Sequence, residues 1–146
     1  MSEFHVSIGE TARFRKTVGE TDVYMFAGIT GDFAPNHVDK TYMERSSFGR
    51  LQAHGALLVG FMSTAAGIVA GRTRDCEEET AVSLGYDRIR FTAPVFLGDT
   101  ITVDYRIVAI DTAQRRSTAE IEIRNQDGVL VSVGTHILAW VSNREP

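Results

Sequence analysis

The chain has 146 residues, enough for one domain with a sizeable buried core, and 43% hydrophobic against 23% charged residues excludes global disorder. Its 15 basic and 19 acidic residues give a net charge of -4, which offers no electrostatic ground for nucleic-acid binding. A single cysteine, Cys76, excludes an intrachain disulfide and fits a reducing compartment; in its charged stretch it reads as a spectator thiol.

The first residues, Met1-Ser2-Glu3-Phe4-His5, lack the basic start and apolar run of a signal peptide, so the cytoplasm is the expected location. Residues 8–19 predict a short extended segment with Phe14 and Val18 as apolar points. Thr21 or Asp22 is a candidate cap for a helix from Val23 to about Ile29, and Gly31 is suited to end it with left-handed backbone angles. Residues 31–51 read as a long polar connection, in which Asp39 caps a short helix from Lys40 to about Ser46. Such a loop inside a domain is usually functional or disordered, and Phe33, Pro35, Tyr42, Met43 and Phe48, available to hold it down, favour the functional reading.

From Ala53 to about Ala70, apolar residues recur at three- and four-residue steps: Leu57, Leu58, Phe61, Met62, Ala65, Ile68 and Val69. About 17 residues give a helix of roughly 25 Å, apolar on most faces and expected deep in the domain. Interrupted by His54, Gly55, Gly60, Ser63, Thr64 and Gly67, it is too polar for a membrane span. Strands dominate after it. Ala81 to Phe91 predicts one strand or two. Ile101, Val103, Tyr105, Ile107 and Ala109 alternate with polar neighbours in a second strand, and Ala119, Ile121 and Ile123 in a third. Asn125-Gln126-Asp127-Gly128 signals a hairpin turn before a last strand, Val129 to Val141. The expectation is a single α+β domain over residues 1–146: an antiparallel sheet wrapped around a central helix, the hot-dog fold.

Two groups of residues suggest chemistry. Asp32 and His37 lie five positions apart in a loop stiffened by Pro35. A carboxylate and an imidazole that face one site suit proton transfer with water, although such a pair in a loop is also common as capping or solvated residues. His54-Gly55 directly precedes the long helix. The first amides of a helix have no internal partner, and Gly55 has no side chain to block an approaching oxyanion; a close-packed helix start would use the same glycine. His37, Asp39 and His54 lack the spacing of a zinc site, so no metal is expected. Ser63 has no nucleophile elbow and reads as a buried hydroxyl. His136, within a strand, reads as a packed or partly exposed histidine.

These residues, taken together, resemble the MaoC-like dehydratases, which include the (R)-specific enoyl-CoA hydratases. The resemblance covers roughly residues 8–142. The family pattern Gly-Asp-x-Asn-Pro-x-His stands here as Gly31-Asp32-Phe33-Ala34-Pro35-Asn36-His37. Phe26-Ala27-Gly28-Ile29-Thr30, Val38-Asp39, the helix start Ala53 to Leu58, and Arg90 to Thr100 also match. The resemblance implies a hot-dog homodimer or dimer-based oligomer that binds an acyl-CoA or acyl-carrier-protein thioester. Asp32 and His37 would activate water for syn addition to a trans-2-enoyl thioester, and the Gly55 amide would hold the thioester oxygen. Ala34, Asn36, His54 and Ser63 would fall near the substrate, and no cofactor is implied. One departure stands out: Ala34 occupies the position of the family's Asn.

Other readings of the same pattern are an acyl-CoA thioesterase of the hot-dog kind and a non-catalytic acyl-CoA-binding or partner subunit. A thioesterase would need a carboxylate on the helix or sheet, and residues 56–70 carry none. Arg72, Arg74, Arg88 and Arg90 are candidate contacts for a phosphate-bearing handle.

Overall fold

Three successive segments of alternating apolar residues form the middle of the sheet, and the computed structural model describes residues 4–72 and 75–144 of the chain. The strands are β1 (Thr11–Thr17), β2 (Glu79–Phe91), β3 (Thr100–Asp111), β4 (Arg116–Arg124) and β5 (Leu130–Ser142). They pair antiparallel throughout, in the order β1-β3-β4-β5-β2. The helices are α1 (Glu20–Thr30), α2 (Pro35–Val38), α3 (Lys40–Glu44) and α4 (Gly55–Gly71).

The inward rows Ile101, Val103, Tyr105 and Ile107 of β3 and Ala119, Ile121 and Ile123 of β4 are buried, as period-two alternation requires. Against them α4 packs Leu58, Phe61, Met62, Ala65, Ala66 and Val69. This is the expected hot-dog fold, a sheet curled around one long helix.

Four local expectations need correction. The first helix starts at Glu20, with Gly19 as its cap. Asp22 reaches back to accept the Gly19 amide at 2.9 Å and so serves the cap from inside the first turn. The 31–51 connection contains a further helical turn, α2, because Pro35 supplies the fixed backbone angle of a first helical position. The long helix is buried on one side only: Ala56, Gly60, Ser63, Thr64, Gly67 and Ile68 are exposed. In β3 the alternation shifts at an irregularity between Ile107 and Ala109, so Ile110, and not Ala109, packs on the core. The region 81–91 forms one strand with two irregularities, at Ser83/Gly85 and Asp87/Arg90.

Candidate active site

The site is built where the end of α1, the turn α2 and the start of α4 meet. Gly31 ends α1 with φ of 83°, a left-handed angle that suits glycine. The chain turns through Asp32, whose carboxylate accepts the Ala34 amide at 3.3 Å. Ala34 is extended ahead of Pro35, and the single turn of α2 then points His37 inward, 8% exposed. The segment before α4 is stapled alongside: Gln52 N–H donates to the Asn36 carbonyl at 2.9 Å, and Ala53 N–H to the Val95 carbonyl at 2.7 Å.

These contacts place one proton on each of the two site histidines. His37 Nδ1 lies 2.8 Å from the Gln52 carbonyl oxygen. A carbonyl can only accept, so Nδ1 carries a proton, and in the uncharged form of the ring the lone pair is left on Nε2. His54, the N-cap residue of α4, is 1% exposed and donates from Nε2 to the Asp32 carbonyl at 3.0 Å. The two imidazoles stack with centroids 3.7 Å apart and planes 24° from parallel.

Asp32, His37 and His54 each offer a ligand-type atom within 4.8 Å of the other two. A tetrahedral or octahedral cation needs lone pairs that converge on one point. Stacked rings project theirs side by side, so this arrangement suits a water molecule and a moving proton better than a metal ion. A carboxylate and an imidazole nitrogen that bears no proton are the two acceptors that such a water needs.

Gly55 is the first helical residue of α4, so its amide has no acceptor within the helix. It lines a cleft of about 510 Å³ together with Asn36, His37, Gln52, Ala56 and Phe91. Asp32, Ala34, His54 and Ser63 do not line it. Ser63 lies two turns along α4 and is exposed, contrary to the buried hydroxyl expected from sequence. Phe91 was not singled out by the sequence argument, although it lies inside the matching stretch Arg90 to Thr100. Its ring stands against the α carbon of Gly55.

The remaining candidates fall elsewhere. His136 is fully buried in the sheet, bonded to Ser83 Oγ at 2.7 Å and Tyr105 Oη at 2.8 Å. Burial pushes its pKa down to about 4, so the ring is neutral. Among the described residues Tyr105 Oη is bonded to His136 alone; donation to Nδ1 is the direction that leaves no buried O–H unpaired, and Nε2–H then donates to Ser83. Ser83 is therefore not activated by a base. Arg72 is tied to Glu10 and the Thr11 carbonyl at the far end of α4. Arg88 lines a cleft over β3, β4 and β5, away from Gly55. Arg90 adjoins Phe91, and Arg74 lies outside the described residues. Among the described residues, no helix is long and apolar enough to cross a membrane.

Several known proteins are similar to this chain in sequence and in structure. The chain is 28% identical over 138 residues to an (R)-specific enoyl-CoA hydratase of Aeromonas caviae, covering 94% of this chain and 98% of that one. It is 34% identical over 102 residues to an (R)-specific enoyl-CoA hydratase of Rhodospirillum rubrum, covering 70% and 66% of the two. The solved structure of the (R)-hydratase from A. caviae involved in PHA biosynthesis superposes with a TM-score of 0.80 at 27% identity, covering 92% of this chain and 96% of that one. The model of the MaoC-like domain matches residues 3–128, and the chain belongs to that family.

Proposed function

We propose that this protein is a hydratase/dehydratase that adds water to a trans-2-enoyl thioester, or removes it from the 3-hydroxyacyl thioester, with a CoA ester as substrate. The observation that carries the reading is the His37 ring, which has a nitrogen within 4.8 Å of an Asp32 carboxylate oxygen and lines the same cleft as Gly55. In the hydration direction, Asp32 and His37 hold one water. His37 Nε2 takes a proton from it as the oxygen bonds to C3 of the substrate. The electron pair of the C2–C3 double bond moves to the thioester oxygen, where the Gly55 N–H stabilises the enolate. The proton then passes to C2, which completes the addition of one water.

The reading is tested by following loss of the enoyl-thioester absorbance with trans-2-butenoyl-CoA. The parent protein hydrates it, and Asp32→Asn and His37→Ala each lose about 10²- to 10⁴-fold in kcat. Parent-like turnover by either variant would remove the dyad from the mechanism. Release of free CoA thiol without hydration would mark a thioesterase instead.

We further propose that the chain is one domain acting in the cytoplasm as a homodimer. Strand β2 lies at the sheet edge and exposes Leu84 and Phe91, while the neighbouring side of α4 shows small residues and Ile68 to solvent. A strand with one open edge and apolar side chains is a ready template for a second copy.

A further inference from the structure

His54 is an unusual choice for its position. Ser, Thr, Asp or Asn would cap α4 better, and His54 makes no side-chain cap bond. Packing does not call for it either. Its Nδ1 is enclosed without a hydrogen-bond partner, a burden of about 1–3 kcal/mol that a phenyl ring would avoid. What the imidazole does with its other atoms is specific. Nε2–H holds the Asp32 carbonyl at 3.0 Å, 22 residues back in the chain. One face covers His37 at 3.7 Å, and the Phe26 ring packs against His54 at 4.7 Å.

We infer that His54 is a positioning residue for the dyad: it fixes the backbone of Asp32 and the ring plane of His37 so that carboxylate and Nε2 face the same water. A ring that stacks on one dyad member and hydrogen-bonds the backbone of the other couples their positions directly. The bonds of Gln52 to Asn36 and to His37 hold the His37 side of the loop and do not reach Asp32. Ala34 stands where the family pattern has an amide, and among the described residues the Asp32 carboxylate bonds only within its own turn, to the Ala34 amide. The catalytic consequence rests on the hydratase reading; the placement of the rings does not.

Two variants separate the contacts. His54→Phe keeps a ring over His37 but loses the donor to Asp32. His54→Gln keeps a donor near the position of imidazole Nε2 and loses the stack. With trans-2-butenoyl-CoA, His54→Phe is expected to lose about 10- to 100-fold in kcat with KM within about threefold, as misplacement of a reacting group does. His54→Gln should recover part of that loss. Imidazole ¹⁵N NMR gives a second readout that needs no turnover. The parent should show His37 protonated at Nδ1 and His54 at Nε2, with the His37 signals displaced in both variants. If the parent hydrates and both variants keep kcat within about twofold, the inference is overturned. Equal losses of kcat and melting temperature in both, with His37 signals unmoved, would show a merely structural residue and also overturn it. If the parent does not hydrate enoyl-CoA, the hydratase reading falls, and the NMR signals alone decide the placement: displaced His37 signals uphold it and unmoved signals overturn it.

Discussion

The ring of Phe91 rests on the α carbon of Gly55, so that a β carbon there would lie 2.6 Å from Phe91 Cε2 and 2.7 Å from Cζ. Strand β2 thus closes over the start of α4 only because residue 55 has no side chain. Two demands would coincide on this glycine: room for the ring, and the unobstructed amide proposed to hold the thioester oxygen.

Gly55→Ala separates those demands. Phe91 is 53% exposed and its ring can swing into solvent, while alanine favours the helix more than glycine does. Stability should therefore change by less than about 1 kcal/mol. Hydration of trans-2-butenoyl-CoA should fall about 10²-fold, as for loss of an oxyanion donor, because the methyl and the displaced ring crowd the amide. Gly55→Ala/Phe91→Ala should recover part of the loss. No recovery in the double variant would assign the whole effect to the methyl group.

Glu79 makes stability depend on acid. The Arg115 guanidinium, bonded to both carboxylate oxygens, holds its pKa down at about 2 against the opposing effect of burial, with His5 helping. The folded value lies below the ordinary 4.5, so the ion pair stabilises the fold above pH 4.5 and is lost as pH falls from there towards 2. Melting temperatures taken from pH 7 to 2.5 should show Glu79→Gln well below the parent at pH 7. The gap should narrow below pH 4.5. A gap that stays constant with pH would show that the pair contributes no linked stability.

The edge of β2 gives a test of association. Leu84 is half-exposed there, and Leu84→Lys places a charge on the surface proposed to receive a second copy. Light scattering after size exclusion should report a homodimer for the parent and a shift towards monomer for the variant. A monomeric parent at micromolar concentration would reject the dimer.

Much of this arrangement was legible in the sequence because it rests on short-range periodicity. The alternation in β3 and β4, the αL glycine at Gly31 and the Asp39 cap all depend on neighbouring residues, and Asp39 does accept the Tyr42 amide at 2.9 Å. The Gly31-to-His37 segment also stood out in sequence, as did His54-Gly55. What could not be read was decided by segments distant in the chain. The tautomer of His37 follows from a carbonyl 15 residues away. The stack on His54 and the Phe91 ring over Gly55 depend on how α2, α4 and β2 close together. Ser63 was expected in the core because its helix is apolar on most faces, but the sheet covers only one side of α4.

The buried seam between Tyr105 and His136 gives the last prediction. Tyr105 is nearly inaccessible, burial pushes its pKa up, and its hydroxyl donates to His136 Nδ1 at 2.8 Å. Tyr105→Phe removes that donor and leaves a buried nitrogen bare, which should cost about 1–3 kcal/mol at pH 7 with an unchanged denaturant slope. The pH dependence has a definite sign. The folded pKa of His136 is about 4, below the ordinary 6.5, so the unfolded chain binds its proton first and stability falls as pH drops from 6.5 towards 4. The tyrosine hydroxyl favours the neutral ring, so without it His136 takes a proton more readily within the fold. The deficit of Tyr105→Phe should therefore shrink between pH 6.5 and 4.5 in urea titrations. A deficit that instead grows in this window would mean that the hydroxyl supports the protonated ring and that the donor assignment is reversed.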